Sequence, residues 1–281
     1  MKVAVLGSSG FIASRLVSIL KKEEIDIVEI NHAMIDLEYP EKFDYSILSG
    51  VDFVVIAAAI SSPDKCEKEF DYCWTVNVTG TIFFIKKALE MNCKVIFFSS
   101  DAVYGNISGK IYDENSETLP KTAYGKMKKA VEAEFFSDDA FKAIRLSYVV
   151  SRFDKFTSYC LNCVRENKAA EIFHPFYRSC ITLSDVLKLV LYLLKNWDST
   201  NFNVINACGN ELISRVRIVD ELNRFCDEKI DYRIVEPQDS FYLNRPMITQ
   251  MKSLYLSKLP FFENESFSKK IEKELGVVYG C

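Results

Sequence analysis

Short apolar runs alternate with amphipathic stretches along the first half of the chain. The apolar runs have the length of buried strands and are rich in Val, Ile and Phe. They lie at Val3 to Leu6, Ile27 to Ile30, Phe53 to Ala58, Val95 to Phe98 and Ala143 to Leu146. Between them, apolar residues recur at helical spacing, notably at Phe11 to Lys22, Tyr72 to Met91 and Ala123 to Phe136. Apolar strands separated by helices predict an α/β fold, in which a doubly wound parallel sheet is covered on both faces.

The pattern is looser after about residue 151. A helix is predicted from Ser184 to Lys195, capped by Ser184 or Asp185, and a short strand at Phe202 to Ile205 can complete the sheet. The remaining predictions are a capped helix at Ser214 to Cys226, a short strand at Ile230 to Val235 and an amphipathic helix at Ser266 to Leu275. We therefore expect a main domain made of residues 1–150 and 177–205, and a smaller lobe made of residues 151–176 and 206–281.

Composition excludes several classes of protein. Of the 281 residues, 49% are hydrophobic and 26% are charged, which is ordinary for a globular chain. A formal net charge of -4 leaves no basic surface, so nucleic acid is not an expected partner. No apolar run approaches the ~20 residues that cross a bilayer, so no membrane contact is expected either. Met1 and Lys2 lead directly into a predicted strand, so we expect no signal peptide.

Cysteine usage indicates a reducing compartment. The chain has nine cysteines, an odd number without a disulfide framework, and we expect reduced thiols in the cytoplasm. Cys160 and Cys163 have the spacing of a zinc or redox pair, but their segment is predicted to be helical and no second ligand pair follows. We interpret them as buried thiols and expect no metal site.

A glycine-rich turn follows the first strand. Gly7, Gly10 and Ala13 are spaced as GxxGxxA, where glycine permits a tight turn and close approach of a pyrophosphate. The N-terminus of the helix that follows then offers free N–H groups to the phosphates. The sequence therefore predicts a dinucleotide site. The residues that we expect to contact it here are Gly7, Ser9, Gly10, Phe11 and Ile12.

The end of the second strand bears on the choice of cofactor. It carries Asn31 and His32, both expected beside the cofactor, rather than the acid that binds the ribose 2′-hydroxyl of NAD. An acid would also repel a 2′-phosphate, so its absence removes a reason to exclude NADP. No arginine nearby selects NADP. We expect NADP(H) or NAD(H), with a preference for NADPH.

Three polar side chains point to redox chemistry at an alcohol or ketone. Ser100 follows a central strand, and the Tyr-x-x-x-Lys spacing stacks Tyr124 and Lys128 on one helical face. An ordinary phenol has a pKa of about 10, so it is a poor acid or base at neutral pH, and we expect Lys128 to lower the pKa of Tyr124. Ser100 can hydrogen-bond the reacting oxygen. Tyrosine and lysine four apart are common on helices, and it is the position after a nucleotide-binding half that favours a catalytic role.

At this point the chain resembles the extended short-chain dehydrogenase/reductase family over nearly all of its length. The segments that carry the resemblance are GSSGFIA, the pair Asp36-Leu37, VVIAAA at 54–59, NVTGT at 77–81, SSDAVYG at 99–105, YGKMK at 124–128, RSCITLSDV at 178–186 and RP at 245–246. The AAAISSPDKCE and SSDAVYG segments are most similar to the dTDP-4-dehydrorhamnose reductase group. The resemblance implies a Rossmann-type sheet with a smaller C-terminal substrate-binding lobe.

The resemblance also implies roles for individual residues. Cofactor contacts are implied for Asp36 and Leu37 at the adenine, for Ala57, Ala58 and Ala59 along the cleft, and for Asn77, Tyr124 and Lys128. Substrate contacts are expected for Ser100, Asp101, Tyr148, Arg178 and Arg245. The two arginines are implied to grip the diphosphate of a nucleotide sugar, which suits guanidinium forks. The alternative for each is a solvated surface charge.

One departure from the family narrows the chemistry. Sugar-nucleotide dehydratases of the family carry Thr-Asp-Glu where this chain has Ser100, Asp101 and Ala102. The base needed for elimination of water is missing, so dehydration is not expected.

The sequence therefore predicts a cytoplasmic NAD(P)H-dependent oxidoreductase. Its expected reaction is reduction of the 4-keto group of a nucleotide-linked, 6-deoxy sugar, in deoxysugar or surface-polysaccharide biosynthesis. A nucleotide-sugar epimerase that retains NAD stays open as an alternative, as does a non-enzymatic NAD(P)-binding regulator, although a regulator needs no intact catalytic set. A homodimer is expected through the helices at Tyr72 to Met91 and Ala123 to Phe136. The sugar and the nucleotide base are left undetermined.

Overall fold

The computed structural model describes residues 1–107, 109–225 and 229–276. Within them the strands are β1 (Lys2–Leu6), β2 (Asp26–Ile30), β3 (Phe53–Ile56), β4 (Lys94–Ser100), β5 (Ile111–Tyr112), β6 (Phe141–Leu146), β7 (Val149–Val150), β8 (Ala170–Phe173), β9 (Tyr177–Arg178), β10 (Ile181–Thr182), β11 (Val204–Ala207), β12 (Ile213–Ser214), β13 (Tyr232–Val235) and β14 (Ile248–Met251). The α-helices are α1 (Phe11–Lys22), α2 (Pro63–Lys68), α3 (Phe70–Trp74), α4 (Thr81–Glu90), α5 (Ala123–Phe135), α6 (Lys155–Arg165), α7 (Leu183–Asn196), α8 (Arg215–Phe225), α9 (Asp239–Leu243) and α10 (Phe267–Gly276).

Six parallel strands form the main sheet, in the order β11-β6-β4-β3-β1-β2. The strand order reverses at β1, which pairs with β2 on one side and with β3 on the other, so that Leu6 lies opposite both Ile30 and Ile56. Ligands of such sheets bind outside the carboxyl ends of the strands at the point of reversal. The predicted α/β class and its doubly wound parallel sheet are confirmed.

The sheet has an apolar core on each face. Successive side chains of a strand point to opposite faces, so Val3 and Val5 pack with α1 and α7, whereas Ala4 and Leu6 pack with α4 and α5. All four are essentially inaccessible to solvent. This two-sided burial explains why β1 has a continuous apolar sequence rather than an alternating one.

The helix predicted from Tyr72 to Met91 is interrupted by a wider turn. A π-helical segment, Thr75–Gly80, lies between α3 and α4. It packs Gly80 against the backbone of Leu37, where a Cβ would come within 1.8 Å of the Leu37 carbonyl oxygen. The apolar periodicity is compatible with either kind of turn, so the sequence did not reveal the interruption.

Several predicted boundaries move. Helix α7 begins one residue earlier than predicted and is capped by Thr182, whose side chain accepts a hydrogen bond from the Asp185 N–H at 3.3 Å, so the predicted cap at Ser184 or Asp185 is wrong. The other shifts are that β3 ends at Ile56 instead of Ala58, that β11 starts at Val204 instead of Phe202 and that β13 starts at Tyr232 instead of Ile230. Cys226, the predicted end of the helix that begins near Ser214, lies outside the described residues.

A second, four-stranded sheet has the order β12-β9-β14-β5. In it, β5 pairs with β14, and β9 pairs with both β12 and β14. The residues of β5 and β9 lie in ranges that the sequence analysis assigned to the main domain, so this sheet joins the two predicted parts of the chain. The division of the chain at residues 150, 177 and 205 stays a prediction. The lobe has its own core, which includes Phe156 on α6, Leu222 on α8 and Ile271 on α10.

The described residues contain no helix that is both long and apolar enough to span a bilayer. In the same residues, no group of three or more His, Cys, Asp or Glu side chains is arranged to hold a metal ion. Cys160 and Cys163 are buried and unbridged on α6, where burial raises the pKa of Cys160 to about 12.

Candidate active site

The glycine turn lies at the carboxyl end of β1. Gly7 has a φ of 84°, in the left-handed region, and the N–H groups of Gly7 and Ser8 both donate to the Ile30 carbonyl. A Cβ at Gly7 would lie 2.7 Å from the backbone nitrogen of Ala58. Only glycine therefore permits both the turn and the close approach to the segment after β3.

The N-terminus of α1 is open to an anion. Gly10 is the N-cap residue, no side chain caps the helix, and its first turn contains no acid. The first N–H groups of a helix have no partner within the helix, so those of Phe11 and Ile12 are available, with Ser9 and Gly10 exposed beside them. This cradle fits the pyrophosphate of a dinucleotide.

The residues after β2 hold their own turns. The Asn31 side chain accepts a hydrogen bond from the Ala33 N–H, and the Asp36 side chain accepts one from the Glu38 N–H, both at 2.9 Å. His32 is exposed and Leu37 is buried. None of these contacts selects between the two nicotinamide dinucleotides.

The segment after β3 is fixed by Asn77. Its buried side chain accepts a hydrogen bond from the Ile60 N–H at 2.8 Å and donates one to the Ile60 carbonyl at 3.0 Å. These bonds hold the loop that follows Ala57, Ala58 and Ala59, which are half-buried beside the glycine turn. A direct contact of Asn77 with a cofactor stays a prediction.

Helix α5 brings Tyr124 and Lys128 to the turn that follows Ser100. Thr122 caps the helix by accepting a hydrogen bond from the Gly125 N–H at 3.1 Å. Gly125 faces Ala102 so closely that a Cβ there would lie 2.0 Å from the Ala102 carbonyl oxygen. The three predicted catalytic residues are thus brought together at one end of the sheet.

Lys128 is almost completely buried, with 4% of its surface exposed. Its Nζ donates to the Phe98 carbonyl at 2.8 Å and lies 5.7 Å from the centre of the Tyr124 ring. Burial lowers the pKa of Lys128 to about 8, although the charge of Glu132 opposes the change. The ammonium therefore lies close to the phenol, but burial makes the charged form of Lys128 less favourable than it is in water.

The expected lowering of the Tyr124 pKa is not observed in the protein alone. Burial raises the pKa of the phenol well above its ordinary value, and the charges of Cys66 and Asp101 act in the same direction. The ammonium of Lys128 is itself desolvated and donates to a backbone carbonyl. Tyr124 is consequently held as a protonated phenol.

A buried polar network that sequence reasoning missed supports this helix. Glu132 accepts hydrogen bonds from Ser99 and, through both carboxylate oxygens, from Arg145. Arg145 also donates to the Tyr104 hydroxyl at 2.8 Å. The one signal in the sequence is that Glu132 lies four residues after Lys128, on the same face of α5.

Asp101 and Arg178 form an ion pair next to Ser100. Arg178 Nε lies 3.3 Å from Asp101 Oδ2, and only 11% and 14% of the two side chains are exposed, so Arg178 is not a solvated surface charge. Burial raises the pKa of Asp101, and its Oδ2 has no hydrogen-bond donor among the described residues. The other oxygen, Oδ1, accepts a hydrogen bond from the Ser100 hydroxyl at 3.1 Å, so Oδ2 is the oxygen that is free to accept a hydroxyl of a substrate.

Arg245 reaches across the cleft to Asp64 at the start of α2. Its Nη1 donates to Asp64 Oδ1 at 2.7 Å, and Nη2 donates to the other carboxylate oxygen. The Tyr148 hydroxyl donates a hydrogen bond to Asp154 at 2.6 Å. A substrate contact by Tyr148 stays a prediction.

Arg215, at the start of α8, is a further residue of the site that the sequence analysis did not identify. Its guanidinium carbon lies 4.9 Å from the ring centre of Phe156 and 4.7 Å from that of Phe176. Arg178 contacts the same Phe176 ring at 4.3 Å. An arginine in the first turn of a helix is common, so the sequence did not indicate that Arg215 contacts these two rings.

A hollow of about 580 Å³ lies away from these residues, beside Lys142, Trp197 and Phe202. The buried ammonium of Lys142 beside this hollow already has hydrogen-bond partners, since its Nζ donates to the Thr200 and Phe202 carbonyls at 3.3 and 2.7 Å. We assign no chemistry to it.

A family model and several solved structures match almost the whole chain, whereas curated relatives match about half of it. The RmlD substrate binding domain family matches residues 1–276. Among curated relatives, the spore coat polysaccharide biosynthesis protein SpsK of Bacillus subtilis strain 168 is 28% identical over 132 residues, 47% of this chain and 47% of SpsK. The chain spans about half the length of the curated relatives it matches.

Solved structures share the fold. The dTDP-4-dehydrorhamnose reductase of Yersinia enterocolitica is similar with a TM-score of 0.83 at 20% identity, over 98% of each chain. That of Bacillus anthracis, in complex with NADP, gives 0.83 at 17% identity over 97% of this chain and 98% of its own. The UDP-glucose 4-epimerase of Thermus thermophilus, in complex with NAD, gives 0.80 at 16% identity over 98% and 97%. The match over residues 1–276 confirms the resemblance seen in the sequence, and the chain belongs to the RmlD substrate binding domain family within the extended short-chain dehydrogenases/reductases.

Proposed function

We propose that this protein is an NAD(P)H-dependent reductase of the 4-keto group of a nucleotide-linked sugar. The observation that carries the proposal is the position of Tyr124 on α5, where the Lys128 ammonium lies 5.7 Å from its ring centre and the next residue, Gly125, packs against the turn that follows Ser100. Reduction of a ketone consumes one proton at the carbonyl oxygen, so it requires an acid at this place. A tyrosine that keeps its proton at neutral pH supplies that acid.

The chain's own residues divide the work. When bound, the nicotinamide supplies the hydride that reaches the carbonyl carbon. Ser100 donates a hydrogen bond to the carbonyl oxygen and stabilises the charge that develops there. Tyr124 transfers its phenolic proton to that oxygen, and the ammonium of Lys128 stabilises the phenolate that remains and holds the ribose of the cofactor.

The charges around the cleft support a nucleotide sugar as the substrate class. Arginines are suited to the diphosphate of a nucleotide sugar, and the two predicted candidates, Arg178 and Arg245, pair with Asp101 and Asp64. The similar reductases act, by name, on dTDP-4-dehydrorhamnose, which supports a 6-deoxy sugar. The missing acid after β2 supports NADPH over NADH, and the similar structure with bound NADP agrees with that preference.

The second candidate is a nucleotide-sugar epimerase, which would use the same residues, and a UDP-glucose 4-epimerase with bound NAD is among the similar structures. An epimerase begins by oxidising its substrate, for which a group must remove a proton from an alcohol. A cytoplasmic location and a homodimer through the helices predicted at Tyr72 to Met91 and Ala123 to Phe136 stay predictions.

The proposal is tested with NADPH and a panel of 4-keto nucleotide sugars, by following cofactor oxidation. We expect wild-type turnover with at least one sugar and a loss of about 10²- to 10⁴-fold in kcat for Tyr124→Phe. Tyr255→Phe, which removes a hydroxyl away from the site, is the matched control and should retain activity.

Two results would contradict the proposal. Absence of cofactor oxidation with every sugar would reject the reductase, and copurified NAD with interconversion of sugars but no net oxidation would identify an epimerase. Undiminished kcat in Tyr124→Phe would remove Tyr124 as the proton donor.

A further inference from the structure

Three arginines contact two phenylalanine rings beside the proposed catalytic residues. The guanidinium carbons of Arg178 and Arg215 lie 4.3 and 4.7 Å from the centre of the Phe176 ring. The Phe241 ring, 5.4 Å from Phe176, carries Arg245 at 4.9 Å. We call Arg178, Arg215 and Arg245 the arginine cluster.

Two charges of the arginine cluster are neutralised and one is not. Asp101 pairs with Arg178, and Asp64 pairs with Arg245. In the part of the chain that the structure describes, Arg215 has neither a hydrogen bond nor a carboxylate partner, and only aromatic faces contact its guanidinium. The arginine cluster therefore keeps one uncompensated positive charge.

The nearby acid Asp154 makes no hydrogen bond or salt bridge with Arg215 among the described residues, although its charge raises the pKa of the arginine. Its carboxylate accepts hydrogen bonds from the Tyr148 and Thr157 hydroxyls at 2.6 and 2.7 Å, and from the backbone N–H groups of Ser151, Phe156 and Thr157. Both oxygens are thus engaged in holding the helix.

Keeping Arg215 charged without a partner costs free energy. Burial lowers the pKa of Arg215, and the charge of Arg245 acts in the same direction. Arg215 is partly buried, and a partly desolvated cation of this kind is stabilised when an anion reaches it. The guanidinium is a planar fork that matches phosphate oxygens.

We infer that Arg215 binds the diphosphate of the nucleotide-linked sugar and supplies the free positive charge of the arginine cluster. The identity of this ligand rests on the proposed function. A diphosphate carries two negative charges on adjacent phosphates, so it pairs with Arg215 and still attracts Arg178 and Arg245. A single carboxylate has only one charge to share.

The test is calorimetric titration of the purified protein with UDP, dTDP, GDP and CDP. With the nucleotide that the wild type binds best, Arg215→Gln should weaken binding by about 10- to 100-fold. Arg215→Lys, which keeps the charge but loses the fork, should lose less. Arg217→Gln is the matched control, because Arg217 is exposed on the same helix and pairs with Glu221, which also pairs with Arg224.

Two further measurements separate binding from folding. The affinity for NADPH should be the same in all variants. Arg215→Gln loses only the contacts of the guanidinium with the Phe156 and Phe176 rings, so its midpoint of unfolding in urea should change little. A less stable Arg215→Gln with unchanged nucleotide affinity would show a packing role and would overturn the inference.

The remaining outcomes distinguish this inference from the proposed function. Nucleotide binding that Arg215→Gln leaves unchanged overturns the inference, even if the wild type reduces a 4-keto sugar. Weakened binding in that variant supports the inference, even if the wild type reduces none. Absence of nucleotide binding by the wild type overturns the inference. A parallel titration with UDP-glucuronic acid tests a sugar carboxylate as the ligand: if Arg215→Gln weakens binding of UDP-glucuronic acid but not of UDP, Arg215 binds the sugar carboxylate and the inference is overturned.

Discussion

At the scale of single residues, Lys128 shows how burial governs protonation in this site. Its ammonium lies 4.4 Å from the centre of the Phe97 ring and donates to one backbone carbonyl. Removal of a cation from water costs more free energy than a single hydrogen bond returns. The pKa of Lys128 accordingly falls from its ordinary 10.5 to about 8.

We expect this residue to make stability depend on pH. Between about pH 8 and 10.5 the unfolded chain holds a proton that folded Lys128 has released. The free energy of unfolding therefore rises with pH through that window, and the gain is lost again as the pH falls from 10.5 to 8. Lys128→Met lacks this titrating group and therefore lacks its contribution to the pH dependence of stability. Urea unfolding should show the wild type gaining about 3 kcal/mol on the variant from pH 7 to 10.5. A difference that does not change with pH would contradict the buried cation.

At the scale of elements, the approach of α5 to the end of β4 sets the geometry of the site. Gly125 lies between the two catalytic residues of the helix and touches the Ala102 carbonyl. Any side chain at this position must push α5 away from the turn that carries Ser100. The glycine is required here by close packing rather than by an unusual φ.

Gly125→Ala is expected to impair catalysis. A displacement of about 1 Å between Tyr124 and the reacting oxygen should lower kcat by about 10²-fold. The glycine turn at Gly7 is unaltered, so NADPH should still bind, with an affinity lowered by the shift of Lys128. Gly276→Ala, which adds the same methyl group into open space, is the control. Both are measured with the sugar that the wild type reduces. Wild-type kcat in Gly125→Ala would show that α5 can shift without cost.

At the scale of the whole molecule, α10 ties the lobe to the main sheet. Lys270 Nζ pairs with Asp185 of α7 at 2.6 Å, and 9% of each side chain is exposed. The ammonium also lies 3.9 Å from the centre of the Phe262 ring. Because the pair is shielded from solvent, its loss leaves a charge that water cannot easily reach.

Lys270→Met should therefore destabilise the protein. We expect the free energy of unfolding in urea to fall by about 3–5 kcal/mol, since Asp185 is left buried and unpaired, and to recover in Lys270→Met/Asp185→Leu. Lys273→Met, on the same helix but in an exposed pair with Glu263 and Glu265, should change stability little. Equal losses in the two single variants would contradict this account.

Features that depend on neighbours along the chain could be predicted from the sequence alone. Apolar runs of strand length predicted the main sheet, and the glycine spacing predicted the turn at Gly7. The Tyr-x-x-x-Lys spacing placed Tyr124 and Lys128 on one face of a helix. Each of these is a local pattern, because strand pairing, helix periodicity and turn geometry repeat within a few residues.

Which charges meet, and which are buried, depends on the packing of elements that are distant in sequence. Asp101 meets Arg178, Asp64 meets Arg245, and Arg215 meets no acid among the described residues, although nothing in the local pattern distinguishes these arginines. The sign of the Tyr124 pKa shift was also beyond the sequence. Spacing shows that an ammonium is near the phenol, whereas desolvation depends on every element packed around it, and here desolvation is the larger effect.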